Sequence, residues 1–466
     1  MLFSSIPFIY CFLPCVLIMY FIAPRRLKNL VLLVTSLVFY GWGEPVYLFL
    51  MLASVLVGYA SGILIEKYKG QKKAEFIRTA GVLISFSFLG YFKYADFFIE
   101  SFNSATGLSV PLLSVALPIG ISFYTFQISS YIIDVYKGDV KAQKSFVRLA
   151  CYVTMFSQLI AGPIVRYSDI AESLAHRTHS AEKFSLGVRR FAFGLAKKIL
   201  LANQLGEIGT LFRESQEKST VFFWLYAIAY SLQIYFDFSG YSDMAIGLGH
   251  FFGFSFNENF NYPFISKSIT EFWRRWHITL GSWFRDYVYI PLGGNKVKKS
   301  IWLINILVVW AFTGLWHGAD WNFVIWGVYF SVFLVLEKLF LLEHLKKSKV
   351  LSRVYLLFFV LISFIIFNST SLAQIKTDLA WMFCVGDLPF SSAEAVYYLK
   401  SYAVLLVVAL IGATPLCKNI ANKIGASEKG RKALNILEPV TAFALILLST
   451  AYLVDGSFNP FLYFRF

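Results

Sequence analysis

Residues 301–340 read IWLINILVVWAFTGLWHGADWNFVIWGVYFSVFLVLEKLF. Two apolar stretches, 301–316 and 322–340, flank His317, and no basic residue lies near it. A bilayer crossing takes roughly 17–25 residues. The second stretch meets that length and the first falls just short. An ionisable side chain placed between them sits inside the membrane body, where such groups are rare and usually functional. This texture recurs along the chain, near 5–23, 29–42, 46–64, 79–97, 112–136, 184–203, 219–237, 354–370, 399–416 and 436–453. Of 466 residues, 58% are hydrophobic and 15% charged. A soluble domain carries about a quarter charged residues, so the chain reads as an all-α polytopic membrane protein. The 19% of Phe, Trp and Tyr suits lipid-facing surfaces and interfacial belts.

The net charge of +15 raises the question of nucleic acid, and the placement of the charges answers it. Of the 42 Lys and Arg, 34 fall in alternate connections, from Arg25–Lys28 through Lys418–Lys432, and the opposite connections hold only Arg213, Lys218, Lys376 and Arg465. That is the positive-inside pattern with both termini outside. The first segment has no basic lead and no small-residue cleavage site, and Arg25-Arg26 follow it, so it reads as an uncleaved anchor. The five cysteines show no paired spacing, and Cys11 and Cys15, one helical turn apart, read as packing. With no CxxC and no HExxH, no metal site is expected.

No linker rich in Pro, Gly or Ser divides the chain, so residues 1–466 read as one integral membrane domain with short loops. Its functional core lies at about 117–327. There the apolar runs are interrupted in LPIGISFYTFQ (117–127), SQLIAGPIVRY (157–167), YFDFSGYSDMAIG (235–247) and ITEFWRRWHITLGSWFRDYVYIPLGG (269–294). Backbone that leaves the helix at membrane depth is tolerated only when buried in protein or lining a cavity.

Within that core His317 comes first. Gly314 and Gly318 allow close approach beside it, and Trp316, Trp321 and Trp326 suit the walls of an apolar passage. A desolvated imidazole stays neutral, the form a general base needs; a histidine hydrogen-bonded between helices fits the same residues equally well. His277 lies in FWRRWHITLGSWFRDY (272–287), which reads as an amphipathic, partly interfacial helix with Glu271 paired to Arg275 one turn on. Arg274, Arg275 and Arg285 suit the phosphates of a donor such as coenzyme A, and equally suit anchoring at the membrane surface. Asp237, Ser239, Tyr241 and Asp243 form a polar cluster around Gly240. It fits either the orientation of a histidine or hydroxyl, or the cap of a broken helix. There is no G-x-S-x-G elbow, no phosphate-binding G-x-x-x-x-G-K-[ST] loop and no His followed at the fifth place by Asp. A membrane-embedded histidine enzyme and a non-enzymatic conduit or flippase remain.

At these residues the sequence resembles the membrane-bound O-acyltransferase family, in its bacterial alginate O-acetyltransferase branch. The motifs are NLVLLVTSLVFYGWGEP near the start, LPIGISFYTFQ, SQLIAGPIVRY, GLAKKILLAN, YFDFSGYSDMAIG, FWRRWHITLGSWFRDYVYIPLGGN, GLWHGADWNFVIWG and the terminal FNPFLYFRF. The resemblance implies a ring of transmembrane helices around a thin re-entrant centre pierced by a tunnel. It makes His317 the catalytic histidine and His277 its second, polar partner. It also implies acetyl-CoA as a cytoplasmic donor with no bound cofactor, a bacterial cytoplasmic membrane, and an extracytoplasmic polysaccharide O-acetyltransferase as partner. Teichoic-acid D-alanyl transfer proteins share the histidine pair and supply the alternative, with a carrier-protein thioester as donor.

Overall fold

A computed structural model describes residues 2–456 and Leu462, so most of the FNPFLYFRF motif lies outside the described residues. Helices and irregular segments make up the whole of what is described, and no strand occurs among these residues. Among the described residues, seven helices are long and apolar enough to cross a membrane, or eight if the bent pair Ala393–Ser401 and Ala403–Gly412 forms one span. Not every apolar stretch in the sequence becomes one long helix, for local reasons. The stretch at 29–42 is a 14-residue helix, Lys28–Gly41. That at 112–136 begins as irregular chain and turns into helix only at Ile121, after Gly120 takes φ +78°. That at 184–203 widens into a π-helical segment, Lys197–Asn203.

The helices separate into scaffold and core by burial. Glu428–Val454 has only 11% of its apolar window buried, whereas Thr220–Phe251 has 83%. The difference lies in the polar and small residues that the second helix carries along its whole length. A methyl group at Gly240 would press on the Gly194 carbonyl, and one at Gly247 on the Gly187 carbonyl. Small residues at such crossings let backbones approach closely where lipid offers no hydrophobic driving force.

Two compact units emerge, one from Met1–Phe191 with Ser242–Asn257, the other from Ala192–Tyr241 with Glu258–Phe466. In the first, Tyr47–Lys67, Lys72–Leu89 and Ile121–Lys137 pack together through Gly58, Gly62 and Gly81, which lie against Ile128, Tyr131 and Ser61. In the second, Lys299–His317 and Trp321–Leu336 form an antiparallel pair. A methyl group at Gly314 would collide with the Phe323 carbonyl, and one at Gly327 with the Trp310 carbonyl. Asn322 joins this pair to the helix Lys349–Asn368 by donating to the Phe367 and Ser369 carbonyls at 2.9 and 2.7 Å.

Candidate active site

His317 is the last residue of its span, 8% exposed. The chain then turns through Gly318, where any side chain would strike the Phe323 ring, and Asp320 starts the next helix by accepting from the Trp321 amide. This turn sets the imidazole among aromatic rings: Trp316 at 5.3 Å, Trp326 at 5.2 Å and Phe367 at 5.4 Å between centroids, all near edge-on. Trp316 and Trp326 are buried beside His317, while Trp321 is half exposed.

The segment around His277 departs from the single amphipathic helix expected. Helix Ile269–Trp273 stops after five residues and a second, Ile278–Phe284, begins after His277. His277 itself stands in the left-handed region, φ 44° and ψ 51°. A non-glycine residue is rarely held there, and such strain persists only where the surroundings fix it. Other parts of the chain anchor the segment before this turn and the turn itself. Glu337, almost wholly buried in an adjacent span, accepts from the amides of Ile269 and Thr270 and from the Thr270 hydroxyl at 2.5–2.8 Å. Residues 259–261 run beside the turn, where the Asn261 amide donates to the Arg275 carbonyl at 2.9 Å and the Ile278 amide to the Asn259 carbonyl at 3.0 Å.

The Asn259 side chain defines the histidine's protonation. Its Oδ1 accepts from the Thr279 amide at 3.3 Å and from the Thr279 hydroxyl at 2.9 Å, and lies 3.2 Å from His277 Nδ1. A backbone N–H can only donate, so the asparagine atom is oxygen and His277 Nδ1 carries a proton. Buried without a carboxylate against it, the ring is neutral, and Nε2 therefore holds a lone pair. That atom has no hydrogen-bond partner among the described residues. The ring packs edge-on to Phe238 at 4.7 Å and lies 6.4 Å from the His317 ring. The fold thus brings the two histidines together in one aromatic enclosure.

The other sequence candidates divide. The polar cluster does not cap a broken helix, because it lies within the uninterrupted helix Thr220–Phe251. Asp237 pairs with Lys198 at 2.6 Å, both nearly inaccessible, and its Oδ2 accepts from the Leu462 amide. Asp243 pairs with Arg190 at 2.7 Å. Ser239 and Tyr241 are buried beside them on the same helix. The cluster's carboxylates bind cations, and it is the intervening Phe238 that meets His277. Arg275 is held by Glu271 at 2.9 Å, as its spacing predicts, and Arg285 by Asp286 at 2.7 Å. Arg274 is exposed and has no ion pair among the described residues. No group of three His, Cys, Asp or Glu suited to a metal gathers among them either.

Sequence reasoning missed Asn259, Glu337 and Lys198. Ser268 caps the helix Ile269–Trp273 by accepting from the Glu271 amide at 3.0 Å. Asn259 carried only the weak signal of an amide among aromatic residues in NENFNYPF.

With this geometry in view, comparison with known proteins is specific. The model of the MBOAT, membrane-bound O-acyltransferase family matches residues 85–375. The chain is 39% identical to the probable alginate O-acetylase AlgI of Azotobacter vinelandii and 37% identical to that of Pseudomonas putida, each over 100% of both chains. It is 31% identical to the peptidoglycan O-acetyltransferase of Helicobacter pylori, over 100% of this chain and 98% of that one.

Proposed function

The chain belongs to the membrane-bound O-acyltransferase family and is an O-acyltransferase, and from that premise we propose that it carries an acetyl group from a cytoplasmic thioester, acetyl-CoA, to a polysaccharide hydroxyl outside the cell. His317 is the proposed general base. The observation that carries this reading is the pairing of His317 with His277, 6.4 Å apart between aromatic walls. Imidazoles so placed are suited to moving a proton where water is excluded.

In the proposed step His317 takes the proton of the acceptor hydroxyl as its oxygen attacks the thioester carbonyl carbon. Collapse of the tetrahedral intermediate breaks the carbon–sulfur bond, and the imidazolium returns the proton to the departing thiolate. The sequence leaves open whether His277 orients the hydroxyl or polarises the thioester. The tautomer set by Asn259 favours the hydroxyl, since Nε2 accepts a hydrogen bond and has no proton to offer a carbonyl. Thioester-to-hydroxyl transfer of this kind draws on no bound cofactor.

Donor phosphates are assigned to the Arg274, Arg275 and Arg285 region. Arg274 is the readiest of the three, because the others already hold carboxylates. In this reading that region faces the cytoplasm across a bacterial cytoplasmic membrane, with both termini outside, and the bias of Lys and Arg supports that orientation. The names of the relatives, alginate and peptidoglycan O-acetyl transferases, support a polysaccharide as final acceptor, reached directly or through an extracytoplasmic transferase partner.

The test is the chemical identity of the transferred group. Cells with and without the protein are compared for esters released from purified surface polymer by mild alkali and identified by mass spectrometry. Acetate found only with the protein is the expected result. D-alanine in its place assigns the chain to teichoic-acid transfer, and equal ester content in both strains overturns the reading.

A second prediction addresses His277. Asn259→Leu removes the acceptor that fixes the tautomer and lowers transfer about a hundredfold, within the range of a misplaced acid–base group. Asn259→Asp keeps the acceptor and restores most activity at high pH. Its added negative charge favours the imidazolium at His277, so activity fails at a higher pH on acidification than in wild type. Matching pH profiles in wild type and Asn259→Asp would rule out this role for Asn259.

A further inference from the structure

The chain between the bent pair ending at Gly412 and the span Glu428–Val454 is rich in polar residues, yet it forms a ten-residue helix, Leu416–Gly425. At about 15 Å this helix is too short to cross a bilayer. Its residues divide between two sides. Leu416, Ile420 and Ile424 recur at every fourth place with Cys417 and Ala421 beside them, while Lys418, Asn419, Asn422 and Lys423 take the opposite side. No residue of the helix is buried. Leu416 and Ile420 are each 49% exposed and Ile424 is 44% exposed. The fold therefore leaves a stripe of three large aliphatic side chains uncovered on a helix that is otherwise polar.

The cations around this stripe lack counter-ions. Lys418 and Lys423 make no ion pair among the described residues, and neither do Lys429 and Arg431, which open the following span. Lys432 alone is paired, with Glu428 at 3.0 Å. Glu428 is also the only acidic residue from 413 to 434, against these five cations. The surface is thus apolar on one side and positive on the other, and it asks for a partner that is both apolar and anionic.

The flanking spans identify that partner. Val404, Val407 and Leu410 before the helix and Ile436, Leu437 and Val440 after it are exposed and apolar. Such faces meet acyl chains, so the short helix between them belongs where hydrocarbon gives way to headgroups. A helix with an aliphatic stripe and lysines opposite lies in that plane, its stripe among acyl chains and its lysines among phosphates. A protein laid on the stripe would have to end at the apolar faces of both spans, whereas lipid covers all three surfaces without a boundary. We propose that Leu416–Gly425 lies along the bilayer surface and binds anionic phospholipid. Leu416, Ile420 and Ile424 sink toward the acyl chains, and Lys418, Lys423, Lys429 and Arg431 hold the phosphates.

Photo-crosslinking in the full chain tests this. p-Benzoylphenylalanine takes the place of Ile420, Asn422 or Val440, one at a time, in protein held in nanodiscs of equal parts phosphatidylcholine and phosphatidylglycerol, and captured lipid is identified by mass spectrometry. Position 420 is expected to capture lipid and position 422 little. At 420 phosphatidylglycerol is expected over phosphatidylcholine by about fivefold or more, the effect of one lysine at an anionic surface, while Val440 on the lipid-facing span captures both alike. Lys418→Glu with Lys423→Glu, at two exposed and unpaired positions, abolishes the preference at 420 with little effect on packing. Equal capture at 420 and 422 would overturn the placement of the helix, and capture of both lipids alike at 420 would overturn the anionic assignment. Crosslinking of position 420 to a protein instead of lipid in cell membranes would overturn the proposal in favour of a docked partner.

Discussion

His317→Gln lowers acyl transfer by about a thousandfold, within the range ascribed to a general base, in protein that reaches the membrane at wild-type level. Glutamine keeps a polar, hydrogen-bonding side chain of similar reach, so the Trp316, Trp326 and Phe367 walls stay in place. What it lacks is an atom able to take and return a proton near neutrality. The contrast between readings is sharp here. A conduit whose histidine merely bridges helices would work nearly as well with glutamine, whereas an enzyme that needs the base would not. The variant is read as ester content of surface polymer per molecule of protein, with the thermal midpoint in detergent checked alongside. A midpoint near wild type with ester lost is the expected pair of results. Ester retained at wild-type level removes His317 from the chemistry.

The second large effect is on stability. Asp237→Leu strands the Lys198 ammonium, which is 1% exposed and lies 2.6 Å from the carboxylate. Leaving one charge of a buried pair without its partner costs about 3–5 kcal/mol, enough to lower the thermal midpoint of the detergent-solubilised protein sharply. Removing both charges, as in Lys198→Met with Asp237→Leu, recovers most of that loss, because a buried ion pair contributes little beyond an apolar pair of similar volume. The same pair of variants decides what Asp237 is for. Its contacts are with Lys198 and the Leu462 amide, so it holds the helix Thr220–Phe251 in place and the double variant should transfer acyl groups. A double variant that is stable yet inactive would put Asp237 into the reaction.

Several features of this protein are legible in its sequence. The membrane class, the helical content and the family follow from composition and motifs spread through the chain. Both histidines stand out in the sequence, since ionisable groups among apolar residues are uncommon. Their proximity was not legible. It depends on His277 taking a left-handed conformation that no local rule assigns to histidine, with Asn259 from another part of the chain bonded to its ring and to the next amide. That the helix Thr220–Phe251 runs unbroken was not legible either, for a related reason. Asp237, Ser239 and Asp243 look like residues that break a span, and they do so unless something satisfies them. Lys198 and Arg190 do, from a neighbouring helix, and pairing across that distance leaves no local sequence signature.

The most direct test of the account uses the purified chain in sealed proteoliposomes, with labelled acetyl-CoA supplied on one face only and a polysaccharide fragment, with any transferase partner, on the other. Wild-type protein is predicted to place label on the polysaccharide as an alkali-labile ester when the donor faces the basic loops. It is predicted to place none when the donor faces the opposite side, and none in either orientation with His317→Gln. Equal labelling by wild type and folded His317→Gln protein would contradict the central claim that acyl transfer takes place at the histidine pair.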